Sequence, residues 1–136
     1  FKGKKGIKSV FKDWLDEGKP MYVLGAYTES AEALKYHIKY SLPGFHNERI
    51  KRKIHMKFIF PKESIKRAIE LSKMKYSEVR ILPAQFGSVH SIQIYGDKST
   101  NIVWTKDPIA IVIRSKEVSK SYKDYFDFLW EQAEKL

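Results

Sequence analysis

The feature that most constrains the fold is a change in the hydrophobic pattern near residue 90. Before it, short apolar runs alternate with stretches whose apolar residues recur at helical spacing. After it, three strand-like segments follow one another with no helix between them, and the first two meet at Gly96-Asp97, a typical hairpin turn. Alternating strands and helices favour parallel pairing, whereas successive strands favour antiparallel pairing. The sequence therefore predicts an α/β fold with a mixed sheet, parallel in its first half and antiparallel in its second, flanked by helices on both faces.

The predicted elements fill most of the chain, whose 136 residues suit one domain, 1–136. Gly18 and Pro20 are expected to end the first helix, and Pro43-Gly44 the second. The predicted helices cover residues 5–17, 31–42, 45–53, 63–72 and the segment from about 117 onward. The predicted strands cover residues 21–26, 57–60, 78–82, 90–96, 99–104 and 108–114.

Composition excludes several classes of protein. The chain has no Cys, so it has neither disulfides nor thiolate metal sites, and we expect a cytoplasmic protein. No apolar run is long enough to span a bilayer, so no membrane partner is expected. The one glycine of GAYTES does not make a phosphate-binding loop, and His37, His46 and His55 lack metal-ligand spacing. We therefore expect no cofactor and no metal.

The net charge of +10 suits a polyanionic partner, although a Lys-rich surface also serves solubility. Most basic residues are spread along the chain, but residues 48–57 hold a cluster. Its candidate nucleic-acid contacts are Arg49, Lys51, Arg52 and Lys53. The alternative interpretation is a solvated helix face, and both interpretations stay open.

The hairpin segment SVHSIQIYGDKSTNIVW, residues 88–104, holds His90 and Asp97 seven positions apart. This spacing resembles the His-x-Lys-x-x-x-x-Asp motif of the phospholipase D superfamily, but Ile92 occupies the position of the Lys. In that chemistry a histidine attacks phosphorus and each lysine neutralises charge on the phosphoryl oxygens. The residues 103–106, VWTK, also lack the Gly-Ser-x-Asn that commonly follows, and a residue such as Lys98 at a hairpin turn usually points to solvent. We therefore expect no catalytic residue and a protein that is not an enzyme, the alternative being a phosphodiesterase or nuclease with an altered site.

Longer stretches carry a resemblance to one family. They are FKGKKGIKSVFKDWLDEGKPMYVLGA at the start, FHNERIKRKIHMKFIF in the middle, and IYGDK, NIVW, PIAIVI and SKSYKDYFDFLW at the end. In this order and spacing they resemble the C-terminal effector domain of archaeal transcription regulators of the TrmB type, over essentially the whole chain. The resemblance implies a phospholipase-D-like fold that forms a homodimer and senses a small effector. It also implies DNA binding through an N-terminal winged-helix domain, which we expect to precede Phe1.

An effector site is expected among polar and aromatic residues at or next to the ends of predicted strands. The candidates are His90, Asp97, Tyr27, Glu29, Ser30 and Trp104, and the expected effector is a sugar or an anion. Three of them have a structural alternative: Asp97 suits a turn, His90 suits a strand start with a satisfied imidazole, and Trp104 suits a core. Trp14, Phe126 and Trp130 recur at helical spacing and are expected in the core or in a dimer interface.

Overall fold

The computed structural model describes residues 1–26, 31–83 and 88–136. Within them the helices are α1 (Gly3–Glu17), α2 (Glu32–Tyr40), α3 (Leu42–Lys51), α4 (Ile65–Ser72) and α5 (Lys116–Gln132), with a 3₁₀ turn at Lys62–Ser64. The strands are β1 (Met21–Leu24), β2 (Met56–Pro61), β3 (Ser77–Leu82), β4 (His90–Tyr95), β5 (Lys98–Val103), β6 (Ile109–Arg114) and β7 (Glu134–Lys135).

The strands form one mixed sheet with the order β6-β5-β4-β1-β2-β3-β7. β1, β2 and β3 are parallel to one another, and β4, β5 and β6 continue the sheet as antiparallel strands. This arrangement confirms the predicted mixed sheet. The two-residue strand β7, which pairs antiparallel with β3, was not predicted. The described residues contain no helix that is both long and apolar enough to cross a membrane.

Helices cover both faces of the sheet, as predicted, and each face has its own core. Successive side chains of a strand point to opposite faces of the sheet. We name each face by the helices that cover it. On the α1–α4 face the core includes Ile7, Trp14, Phe45, Phe58 and Leu71. On the α5 face a smaller core joins Ile59 and Ile94 to Phe126 and Trp130 of α5.

Local sequence explains most helix ends. Gly18, with a φ of 62°, ends α1, and its N–H donates to the Trp14 carbonyl at 3.2 Å. Ser115 caps α5 by accepting from the Val118 N–H at 3.2 Å. The prediction that Pro43-Gly44 ends a helix is wrong: α2 ends at Tyr40, and Pro43 lies in the first turn of α3. Proline is tolerated there because the first N–H groups of a helix have no partner within it.

Candidate functional site

His90 is the exposed first residue of β4, on the α5 face of the sheet. Its Nε2 lies 2.9 Å from Oδ1 of Asn101 on β5. The Asn101 amide nitrogen in turn donates to the Tyr122 hydroxyl of α5 at 3.4 Å. An oxygen acceptor at Nε2 places a proton on that nitrogen, so Nδ1 of a neutral imidazole is left as an acceptor. The side chain is thus oriented by two neighbouring elements.

The other elements of the resembled motif are not close to His90. Asp97 lies exposed in the turn at the opposite end of β4, roughly 20 Å away along the strand. Its carbonyl accepts from the Ser115 N–H at 2.9 Å, which joins the turn to α5. Lys98 lies on the other face and forms ion pairs with Asp13 (2.8 Å) and Glu17 (3.0 Å) of α1. Lys98 therefore supplies no cation to His90.

Position 92 lies on the same face as His90, one pleat further along β4. Ile92 is half-buried and packs against the core under α5. The side chain at this position thus contributes to packing.

Trp104 does not share a surface with His90. It is 2% exposed on the α1–α4 face, and its indole N–H donates to the Ser91 hydroxyl at 2.8 Å. Ser91 follows His90 in β4 and points to the opposite face. The expected grouping of His90 with Trp104 is therefore wrong. Tyr27, Glu29 and Ser30 lie outside the described residues.

A surface of exposed apolar side chains begins beside His90. Across β4, β5 and β6, one row holds His90, Val103 and Ile109, and the next row holds Ile92, Asn101 and Ile111. On α5, Tyr125 lies three residues after Tyr122, which contacts Asn101, so Tyr125 borders this open part of the sheet. The exposed fractions are 41% for Ile109, 55% for Ile111 and 62% for Tyr125. We call these three residues the apolar surface.

The basic cluster divides into one buried and three exposed residues. Arg49 is 0% exposed, and its guanidinium donates to the carbonyls of Ile54, Lys75 and Tyr76 and to the Ser77 hydroxyl. Burial lowers its pKa to about 10, so it stays charged at neutral pH. The expectation that Arg49 contacts nucleic acid is therefore wrong, because its donors are used inside the fold.

Lys51, Arg52 and Lys53 remain exposed at the end of α3. Arg52 forms an i,i+4 pair with Glu48 at 3.0 Å and donates to the Leu15 carbonyl. These three residues remain predicted nucleic-acid contacts.

Asn101 is a site residue that the sequence analysis missed. The two-residue turn at Gly96-Asp97 sets the register that brings β5 beside His90, so hairpin pairing could have indicated this neighbour. No comparable pattern in the sequence indicated the partners of Arg49. Lys75 and Tyr76 are distant from it in sequence and approach it only through the pairing of β2 with β3.

No model of a protein family and no curated protein matches the chain. Among solved structures, TrmBL2, an archaeal chromatin protein that binds DNA, matches 97% of this chain with a TM-score of 0.65 and 15% identity. This chain covers 50% of TrmBL2 and so spans about half of its length. NucT from Helicobacter pylori matches 100% of this chain and 96% of its own, with a TM-score of 0.67 and 12% identity. The chain has the phospholipase-D-like fold.

The likeness to NucT corrects one prediction. NucT is a phospholipase-D-like nuclease, and its fold extends over this whole chain. The prediction that the protein is not an enzyme is therefore wrong, because a nuclease has this fold and the fold does not exclude an enzyme.

Proposed function

We propose that this chain is the dimerising, effector-responsive domain of a regulator of the TrmB type. In this proposal two copies join through the apolar surface, and DNA is contacted by a domain elsewhere in the protein. The likeness to half of TrmBL2, a DNA-binding protein, supports the connection with DNA. The observation that carries the proposal is the apolar surface itself.

Three large apolar side chains with exposed fractions between 41% and 62% lie where α5 leaves the sheet uncovered. Contiguous apolar patches of this kind are uncommon on monomers and mark interaction sites. Aromatic residues such as Tyr125 are enriched at the centres of interfaces. A two-fold pair is the commonest way for a chain to cover one such patch with another copy.

The test is the oligomeric state of Ile111→Glu, measured by sedimentation equilibrium. A charge at the centre of the interface should weaken dimerisation by about thirtyfold or more, which corresponds to about 2 kcal/mol. Ile69→Glu is the matched control, because Ile69 is an isoleucine 42% exposed on α4, on the other side of the sheet. A wild type that is monomeric at about 100 μM, or an equal effect of both substitutions, would contradict the proposal.

A nuclease with an altered site is the second candidate, and the orientation of His90 by Asn101 favours it. In that case a phosphodiester substrate is cleaved by the wild type, and His90→Ala abolishes the cleavage. For the regulator, His90 lies at the border of the apolar surface, where a pair of imidazoles from two copies would receive an anionic effector. An effector response and a dimer affinity unchanged in His90→Ala would remove that assignment.

Direct contact with nucleic acid through Lys51, Arg52 and Lys53 is a separate proposal. Replacing all three by Gln should weaken DNA binding and lower the slope of log affinity against log salt by about 2–3. An unchanged slope would assign DNA binding to other residues.

A further inference from the structure

A cavity lies between the sheet and helices α1 to α4, on the side away from His90. Its volume is about 60 Å³, in an interior where voids larger than a water molecule are few. At roughly 10–15 Å³ for each water-sized group, it accommodates on the order of five non-hydrogen atoms. Its wall is mainly apolar and includes the rings of Phe11, Trp14, Phe45, Phe58, Phe60 and Trp104. Such a wall suits an aromatic ring or a short carbon chain.

Three neutral polar side chains in the wall, Ser91, Gln93 and Trp104, are bonded to one another, whereas the indole N–H of Trp14 has no hydrogen-bond partner among the described residues. The Ser91 hydroxyl oxygen accepts from the Trp104 indole N–H and from the Gln93 amide, both at 2.8 Å. The Gln93 amide oxygen accepts from the Thr100 hydroxyl at 2.5 Å. These groups leave few hydrogen bonds for the hydroxyls of a ligand, so a saccharide is poorly suited to this cavity.

Arg67 of α4 lies at the mouth of the cavity. Together with Ile38 and His46 it also lines an outer cleft of about 160 Å³. Within the described residues, no hydrogen bond or ion pair reaches its guanidinium. Burial lowers the pKa of Arg67, while the carboxylate of Glu70 acts in the opposite direction. A half-buried guanidinium without a bonded partner can accept an anion at low desolvation cost to the protein.

His46 adds a neutral donor beside this cation. Its Nδ1 accepts a hydrogen bond from Nε of Arg49 at 3.2 Å, so the proton of the neutral ring is on Nε2. Burial, reinforced by the charges of Arg49 and Arg67, lowers the pKa of His46 to about 3. At neutral pH the mouth therefore presents one positive charge and one uncharged N–H.

We propose that the cavity and its outer cleft bind a small amphipathic monocarboxylate. Its ring or short chain lies among the aromatic side chains, and its carboxylate meets Arg67, with His46 as a second donor. As the effector site of a regulator this site rests on the proposed function, whereas the binding of a carboxylate does not. The site is distinct from His90, which lies on the opposite face of the sheet.

The test is calorimetric titration of the full chain with hexanoate and phenylacetate, with 1-hexanol as the neutral probe. We expect both acids to bind with a Kd on the order of 1 mM or tighter. Arg67→Met should weaken hexanoate binding by about tenfold and leave 1-hexanol binding within about twofold. Lys66→Met is the matched control, because it removes the same charge from an exposed neighbour on α4 and should not change either affinity.

Hexanol binding by Arg67→Met also shows that this variant is folded. Absence of binding of both acids to the wild type would overturn the proposal, and so would an equal loss in Arg67→Met and Lys66→Met. Sedimentation of the same samples separates the two proposals. Acid binding by a chain that does not dimerise would support the carboxylate site and remove its regulatory role. A dimer that binds neither acid would support the proposed dimer and overturn the carboxylate site.

Discussion

Replacement of Arg49 by Met should destabilise the fold strongly, because this guanidinium joins α3 to the starts of β2 and β3. Three of its acceptors are carbonyls, at 3.2 Å for Ile54, 3.1 Å for Lys75 and 2.9 Å for Tyr76. Tyr76 keeps a second donor, the Met56 N–H, and Lys75 keeps the Ser77 hydroxyl. Within the described residues no other hydrogen bond reaches the Ile54 carbonyl.

The magnitude follows from the groups that lose their donors. The Ile54 carbonyl and Nδ1 of His46 would each be left unsatisfied in a buried position, at about 1–3 kcal/mol apiece. Met retains most of the packing of the side chain, and removing a buried cation recovers part of this cost. The expected net loss in the free energy of unfolding is therefore about 3 kcal/mol. For a domain of this size that corresponds to a fall in Tm of about 10 °C.

The assay is urea unfolding of wild type, Arg49→Met and Arg52→Met followed by circular dichroism. With an m-value of about 2 kcal/mol/M, the midpoint of Arg49→Met should fall by about 1.5 M. Arg52 is the matched control, since it is exposed and its pair with Glu48 should contribute less than about 1 kcal/mol. If Arg49→Met lost no more stability than Arg52→Met, the reasoning from buried unsatisfied acceptors would be refuted.

Two further predictions concern acid and glycine. The pKa of His46 is about 3 in the folded protein and about 6.5 when unfolded, so only the unfolded state takes up its proton below about pH 6.5. The free energy of unfolding should therefore fall by about 2 kcal/mol from pH 7 to pH 5 on account of His46, and urea titrations at the two pH values should show a smaller fall in His46→Gln. At Gly25 an added Cβ would lie 2.2 Å from Cε1 of Phe60, so Gly25→Ala should cost about 1–3 kcal/mol. At Gly44, in α3, a Cβ would meet nothing within 4 Å, so Gly44→Ala should stabilise by about 0.5–1 kcal/mol. A thermal scan in which both alanines shift Tm in the same direction would contradict this assignment.

The order of helices and strands could be predicted because it depends on local periodicity. The apolar spacing in α1 and α5 and the apolar runs of β1 to β6 are properties of neighbouring residues, and the hairpin at Gly96-Asp97 is specified by its turn. The ends of elements were less predictable. Pro43 is compatible with both the end of one helix and the first turn of the next. Whether it follows α2 or lies within α3 therefore depends on how the two helices pack.

The sequence by itself determined the mixed α/β sheet, its antiparallel second half and the covering helices. Each of these depends on a residue pattern that extends over only a few helical turns or a few residues of a strand. Only the tertiary structure decided which side chains share a site. It placed Trp104 on the face opposite His90, directed Lys98 toward α1, and buried Arg49 among carbonyls contributed by distant segments. It also brought Arg67 and His46 to the mouth of one cavity. These groupings depend on strand register and helix packing, which join residues that are far apart in sequence.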